Sequence, residues 1–289
     1  MTPLEELLSA LSLKQVKDFH FEGKPIDLGF GRLYGGHVLA QSLAAATQTV
    51  SADRLVHSLH GYFLRIGSDK DPITYEVDPI RDGRSFSTRR VVAIQNGKAI
   101  FNMSCSFQIQ EEGFDHQISM PYAPAPEDIK SDLEVSRDYV DKIPLALRDK
   151  FTCDRAIEMK SIGRINPFHP IKQQPEQFAW FKASGPVPDN QALHRCLLAY
   201  TSDFTLMGTG MRPHGVSFAQ KNMQTASLDH AMWFHRDIDM NSFSLYAMDA
   251  PNACGARGFN RGNIFLRNGK LAASVTQEGL MRQWPDSSG

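Results

Sequence analysis

VVAIQNGKAIFNMSCSF occupies residues 91–107, and NIFLRNGKLAASV occupies residues 263–275. Each places an Asn-Gly-Lys turn between two apolar runs. A two-residue hairpin turn of type I′ needs positive φ at both central positions, which Asn and Gly tolerate best. After the first turn, Phe101, Met103, Cys105 and Phe107 alternate with Asn102, Ser104 and Ser106, the period-two pattern of a strand with one apolar face. Ile264, Phe265 and Leu266 precede the second turn, and Leu271, Ala273 and Val275 follow it.

The two hairpins belong to a longer repeat. Phe63-Leu64-Arg65 is echoed 171 residues later by Phe234-His235-Arg236. Gly83 and Gly255, Arg89 and Arg261, and the two Asn-Gly-Lys turns share a shift of 172 residues. A near-constant offset predicts a tandem duplication of one module. A helix is expected ahead of the strands in each copy, at about Gly36–Ala46 and at about Gln191–Ser202, the latter with Asp189 or Asn190 as N-cap. One helix followed by antiparallel strands implies an α+β module, a curved sheet over a central helix.

Between the copies, residues 111–153 read as a linker that opens with a Pro- and acid-rich stretch (APAPED, 123–128) and carries a peripheral helix over Asp132–Arg148. The expected modules are residues 1–110 and 154–289. The stretch from Asp203 to Ser227, with Gly208, Gly210 and Pro213, reads as a long loop of the functional kind.

A net charge of −1 provides no field for nucleic acid. No apolar run reaches the roughly 20 residues that span a bilayer. Leu4, Leu7, Leu8 and Leu11, interrupted by Glu5 and Glu6, predict an amphipathic helix and not a signal peptide. Four scattered cysteines predict a reduced, cytoplasmic chain without a zinc or redox motif. The terminal Ser287-Ser288-Gly289 is no peroxisomal address.

Several strings together resemble the acyl-CoA thioesterase II family: YGGHVLAQSL (34–43), LVHSLHGYFLRIG (55–67), RDGRSFSTRRV (81–91), SLDHAMWFHR (227–236) and TQEGLMR (276–282). The resemblance covers nearly the whole chain. It implies a double hotdog fold, hydrolysis of fatty acyl-CoA, a homodimer or homotetramer, and a site trio falling on Asp203, Ser227 and Gln277. Such a trio suits a thioester, an activated acyl group that water attacks without metal, cofactor or covalent nucleophile. Asp203 can take a proton, while Ser227 and Gln277 can position the water. Backbone N–H groups at Gly35 and Gly36, before the first helix, are the expected oxyanion donors.

Taken singly, these residues are unremarkable: Asp203 reads as a helix-end carboxylate and Ser227 as a strand serine outside any Gly-x-Ser-x-Gly elbow. Gln277 shares a face with Val275 and Ala273, where a buried amide needs a partner. Asp229, of the same parity as Ser227, is expected to pair structurally with a nearby His or Arg. His37, His57 and His60 read as packed or hydrogen-bonded histidines, with His57 and His60 bracketing a strand start, and His230 and His235 lack the partners at suitable spacing that a metal site needs. Asn166–His169 echoes part of a hydratase motif but lacks the preceding Gly-Asp. Arg65, Arg84, Arg89, Arg236 and Arg261 are open candidates for CoA phosphates. The competing functions are a hotdog enoyl-CoA hydratase and a non-catalytic acyl-CoA-binding protein.

Overall fold

The computed structural model describes residues 1–29 and 31–285; the C-terminal Ser287-Ser288-Gly289 lies outside them. In the first half, α1 (Pro3–Leu11) leads to β1 (Lys14–Lys17), β2 (His20–Gly23), α2 (Gly35–Thr47), β3 (Arg54–Phe63), β4 (Ile73–Asp82), β5 (Phe86–Gln95) and β6 (Lys98–Ile109). Short helices α3 (Asp132–Asp138) and α4 (Arg148–Thr152) follow. The second half comprises β7 (Ile157–Ile162), β8 (Glu176–Ala183), α5 (Gln191–Ser202), α6 (Leu206–Met211), β9 (Met223–Ser227), β10 (Asp229–Phe234), β11 (Ser244–Cys254), β12 (Arg257–Leu266) and β13 (Leu271–Gln283).

The strands form one sheet in the order β1-β2-β4-β5-β6-β3-β10-β13-β12-β11-β8-β7, with β9 added on β13. Reading inward from each edge gives the same sequence of equivalent strands, so the duplication appears as a pseudo-two-fold meeting at β3 and β10. A 171-residue shift carries His60 onto Ala231, and these two are register partners across the seam. The internal axis therefore passes through that pair. The buried helices α2 and α5 pack against each other, α2 also against β3–β6 and α5 against β3.

Local chemistry explains the elements. Asn190 is the N-cap of α5, its side chain accepting the Leu193 N–H at 3.2 Å. At the first hairpin Asn96 and Gly97 both take positive φ, 50° and 71°, as a type I′ turn requires. The second hairpin differs from expectation. Only Gly269 has positive φ, the Gly269 N–H donates to Leu266 O, and Leu266 pairs with Lys270. Arg267 and Asn268 thus form a type I turn closed by a left-handed glycine, a three-residue loop.

The linker is also corrected. Residues 132–148 are not one helix: α3 begins at a Ser131–Glu134 capping box and stops at Tyr139, followed by 3-10 turns at Val140–Lys142 and Leu145–Leu147. Pro144 lacks an N–H and pushes Ile143 to extended backbone, so a continuous helix cannot form. The linker has far to go. From β6 to β7 is seven strand spacings, roughly 34 Å at about 4.8 Å each. It crosses the outer face of the second half, where Met120, Ala123 and Ile129 cover Trp180, Leu245 and Phe265. Asp115 pairs with Arg236, Glu127 with Arg267, and Pro124 O accepts the Trp180 indole N–H.

Buried polar groups fix α2 against the N-terminal segment. Gln41 donates to Ala10 O and Lys24 O and accepts from the Tyr75 hydroxyl at 2.6 Å. His37, fully buried, bonds Lys24 O through Nε2 at 3.0 Å. Among the described residues, no helix is long and apolar enough to cross a membrane.

Burial holds the His37 pKa down at about 4, against about 6.5 for a free imidazole. Between those values the unfolded chain binds more protons, so stability rises with pH there and is lost as pH falls from about 6.5 towards 4. Replacing His37 with Gln, which can still donate to Lys24 O, is expected to reduce that slope in urea titrations across the window. An unchanged slope would contradict this reading of the buried imidazole.

Candidate active site

Asp203 is the C-cap of α5, directly after its last residue. Its carboxylate is gripped from both halves of the chain. Oδ2 accepts the Gly36 N–H at 2.9 Å, and Oδ1 accepts from Gln277 Nε2 at 2.6 Å. Gly36 lies in the first turn of α2, where unpaired N–H groups and the helix dipole favour a negative charge. This corrects one expectation, because the Gly36 N–H is spent on the carboxylate. The Gly35 N–H has no partner among the described residues.

Close approach explains both glycines. A Cβ on Gly36 would lie 2.3 Å from the Tyr200 carbonyl oxygen, and one on Gly35 would lie 2.7 Å from Asp203 Oδ2. The helices α2 and α5 can meet, and the carboxylate can reach the N-terminus of α2, only without those side chains. Tyr34, the N-cap of α2, donates to Tyr200 O and stacks on Phe204 with centroids 4.6 Å apart. Burial and the nearby Asp203 charge push the Tyr34 pKa well up. Thr205 follows in a left-handed conformation, φ 63°, and turns the chain from α5 into α6. Positive φ at a β-branched residue is strained backbone held by its surroundings. The expected long loop therefore contains a helix, α6, and a strand, β9.

Ser227 ends β9 opposite Gly279, and Gln277 lies two residues before that glycine on β13. Gln277 Nε2 is 3.3 Å from Ser227 Oγ, so Asp203, Ser227 and Gln277 form one cluster. Gln277 is fully buried, and its Oε1 is an acceptor with no partner among the described residues. Two surface clefts, of about 250 and 370 Å³, include none of the three.

His230, which the sequence brings up only to exclude a metal site, touches this cluster: Nδ1 is 3.2 Å from Gln277 Nε2 and 4.0 Å from Asp203 Oδ1. The available signal was parity, since His230 shares the strand face of buried Met232 and Phe234. Burial lowers its pKa, opposed by the Asp203 charge. Asp229, expected to pair with a His or Arg, instead accepts the Glu278 backbone N–H at 2.7 Å. Burial raises its pKa. His57 and His60 lie inside β3, bonded to Ser106 and packed on Trp233 respectively. Of the candidate arginines, Arg65 donates to Ala99 O, Arg89 to Asp82, Arg236 to Leu271 O and Arg261 to Asp249.

Residues 146–280 match the family described as Acyl-CoA thioesterase, and residues 25–108 match Acyl-CoA thioesterase N-terminal domain. Acyl-CoA thioesterase 2 of Haemophilus influenzae is 42% identical, over 96% of this chain and 98% of that protein. The chain belongs to the acyl-CoA thioesterase II family. A member of this family, it is a thioester hydrolase of the double hotdog fold. The crystal structure of acyl-CoA thioesterase II TesB2 from Mycobacterium marinum, 38% identical, superposes with a TM-score of 0.79, covering 97% of this chain and 99% of that one. A hot dog fold protein from Alicyclobacillus acidocaldarius, 19% identical with a TM-score of 0.77 and 97% and 99% coverage, shares the fold.

The two glycines of this thioesterase should separate on mutation. Gly35→Ala pushes on the carboxylate and is expected to lower kcat by about 10- to 100-fold with little change in unfolding temperature. Gly36→Ala collides with backbone and should cost about 1–3 kcal/mol of stability as well. Thiol-release kinetics with denaturant titration check both; wild-type kcat in Gly35→Ala contradicts the close approach.

Proposed function

We propose that this enzyme hydrolyses fatty acyl-CoA to the free acid and CoA, with Asp203 as the general base for water. The observation that carries this reading is the buried cluster in which the Gln277 amide N–H groups meet the Asp203 carboxylate and the Ser227 hydroxyl, leaving the amide oxygen without a partner among the described residues. Gln277 Oε1 and Ser227 Oγ hold the water, and Asp203 takes its proton as the oxygen attacks the thioester carbonyl. The Gly35 N–H, the remaining donor at the start of α2, receives the developing oxyanion. Collapse of the tetrahedral intermediate expels the CoA thiolate, and the proton held on Asp203 is available to it.

The hydratase reading has less support. Asn166–His169 is a turn in which the Asn166 side chain accepts the Phe168 N–H, between β7 and β8. A purely binding protein does not account for the convergent base and acceptors.

The module division at 1–110 and 154–289, with 111–153 as the strap between them, is part of this reading, as is a cytoplasmic homodimer or homotetramer. Edge-to-edge pairing through β1 is disfavoured, because that strand presents Lys14 and Lys17.

Asp203→Asn keeps shape and removes the base. Thiol release from acyl-CoAs of graded length is expected to fall by about 10²- to 10⁴-fold in kcat for every chain length, with the fold intact by circular dichroism. Retained activity would remove Asp203 from the mechanism.

A further inference from the structure

His230 is fully buried on β10, and its ring joins two polar groups. Nε2 lies 2.9 Å from Ser202 Oγ, and Nδ1 lies 3.2 Å from Gln277 Nε2. Proton accounting fixes the tautomer. The Ser202 hydroxyl has one hydrogen and donates it to Ala199 O at 2.8 Å, so towards the ring its oxygen can only accept. Nε2 therefore carries the ring proton, and Nδ1 presents a lone pair to Gln277. The Tyr246 hydroxyl, donating to Ser202 O at 2.8 Å, holds the end of α5 in place for this contact.

The consequence falls on the Gln277 amide. Asp203 Oδ1, at 2.6 Å, and His230 Nδ1 both accept, and together they use its two N–H groups. The flipped amide would press Oε1 against a carboxylate oxygen and a ring lone pair. Ser227 Oγ, at 3.3 Å, is the loosest of the three neighbours and cannot set the orientation.

We propose that His230 is a positioning residue, locking the Gln277 amide through the chain Ala199–Ser202–His230 so that Oε1 faces the reacting water. The proposal rests on the reading of Gln277 as a site residue. The repeat shows what the position looks like without this duty. The first half carries Leu59 and Cys105 as register partners where the second carries His230 and Gln277. An apolar pair suffices for the sheet, so the polar pair answers a different need.

A double-mutant cycle tests it. His230→Leu, the residue of the other repeat, is expected to lower kcat for acyl-CoA by about 10- to 100-fold with KM changed less than about threefold. His230→Asn, whose amide oxygen can replace Nδ1 as acceptor, should recover part of the loss. In a Gln277→Ala background, His230→Leu should cause no further loss, because the amide it orients is gone. Losses that multiply across the two sites, or wild-type kcat in His230→Leu, would overturn the proposal. Should His230→Leu fail to fold, Ser202→Ala stands in for it: a smaller kcat loss that disappears in Gln277→Ala supports the chain, and an additive loss overturns it. Full activity in Gln277→Ala alone sinks the site assignment itself, and so is distinguishable from failure of the His230 role.

Discussion

The structure turns on one carboxylate shared between two copies of a module. Asp203 belongs to the second half by sequence, but one of its oxygens is held by the Gly36 N–H of the first half and the other by Gln277. That arrangement requires the N-terminus of α2 to lie against the C-terminus of α5, with glycine at 35 and 36. It also requires the two half-sheets to be joined, since the β3–β10 seam fixes how the helices stand. Phe63 N–H to Leu228 O carries the seam to the residue beside Ser227. The Gly36 N–H at the start of α2 and the Gln277 amide hold that carboxylate from either side, so the residue proposed as base is fixed in direction.

The duplication supplies the frame, and its broken symmetry supplies the chemistry. At the C-cap equivalent to Asp203 the first helix has Gln48, exposed at the surface. Opposite the His230–Gln277 pair it has Leu59 and Cys105, both buried, and the Cys105 thiol pKa is raised by that burial. The first half thus has no base, no amide and no activated thiol at the matching position. It contributes the α2 N-terminus instead, which on the proposed reading gives one site per chain.

Much of this was legible in sequence because it rests on local patterns. The Asn96-Gly97 turn, alternation through β6 and the Gln191–Ser202 helix all obey short-range rules. Departures arose where local geometry overrides a pattern, as with Pro144 in the expected Asp132–Arg148 helix, or the three-residue loop that closes the second hairpin. Asp203, Ser227 and Gln277 came from resemblance; spacing alone does not join residues 203, 227 and 277. Least legible was what depends on three-dimensional proton accounting: that Gly36 is committed to Asp203, and that His230 meets Gln277. No periodicity encodes which hydrogen a buried serine has already given away.

If Asp203 activates water instead of attacking the thioester itself, the acid released in the first turnover takes its new oxygen from solvent. Single-turnover hydrolysis in ¹⁸O-labelled water, with mass spectrometry of both the acid and the protein, reads this directly. The account predicts one labelled oxygen in the first-turnover acid and none in Asp203. Unlabelled first-turnover acid with label appearing on the Asp203 carboxylate would contradict it.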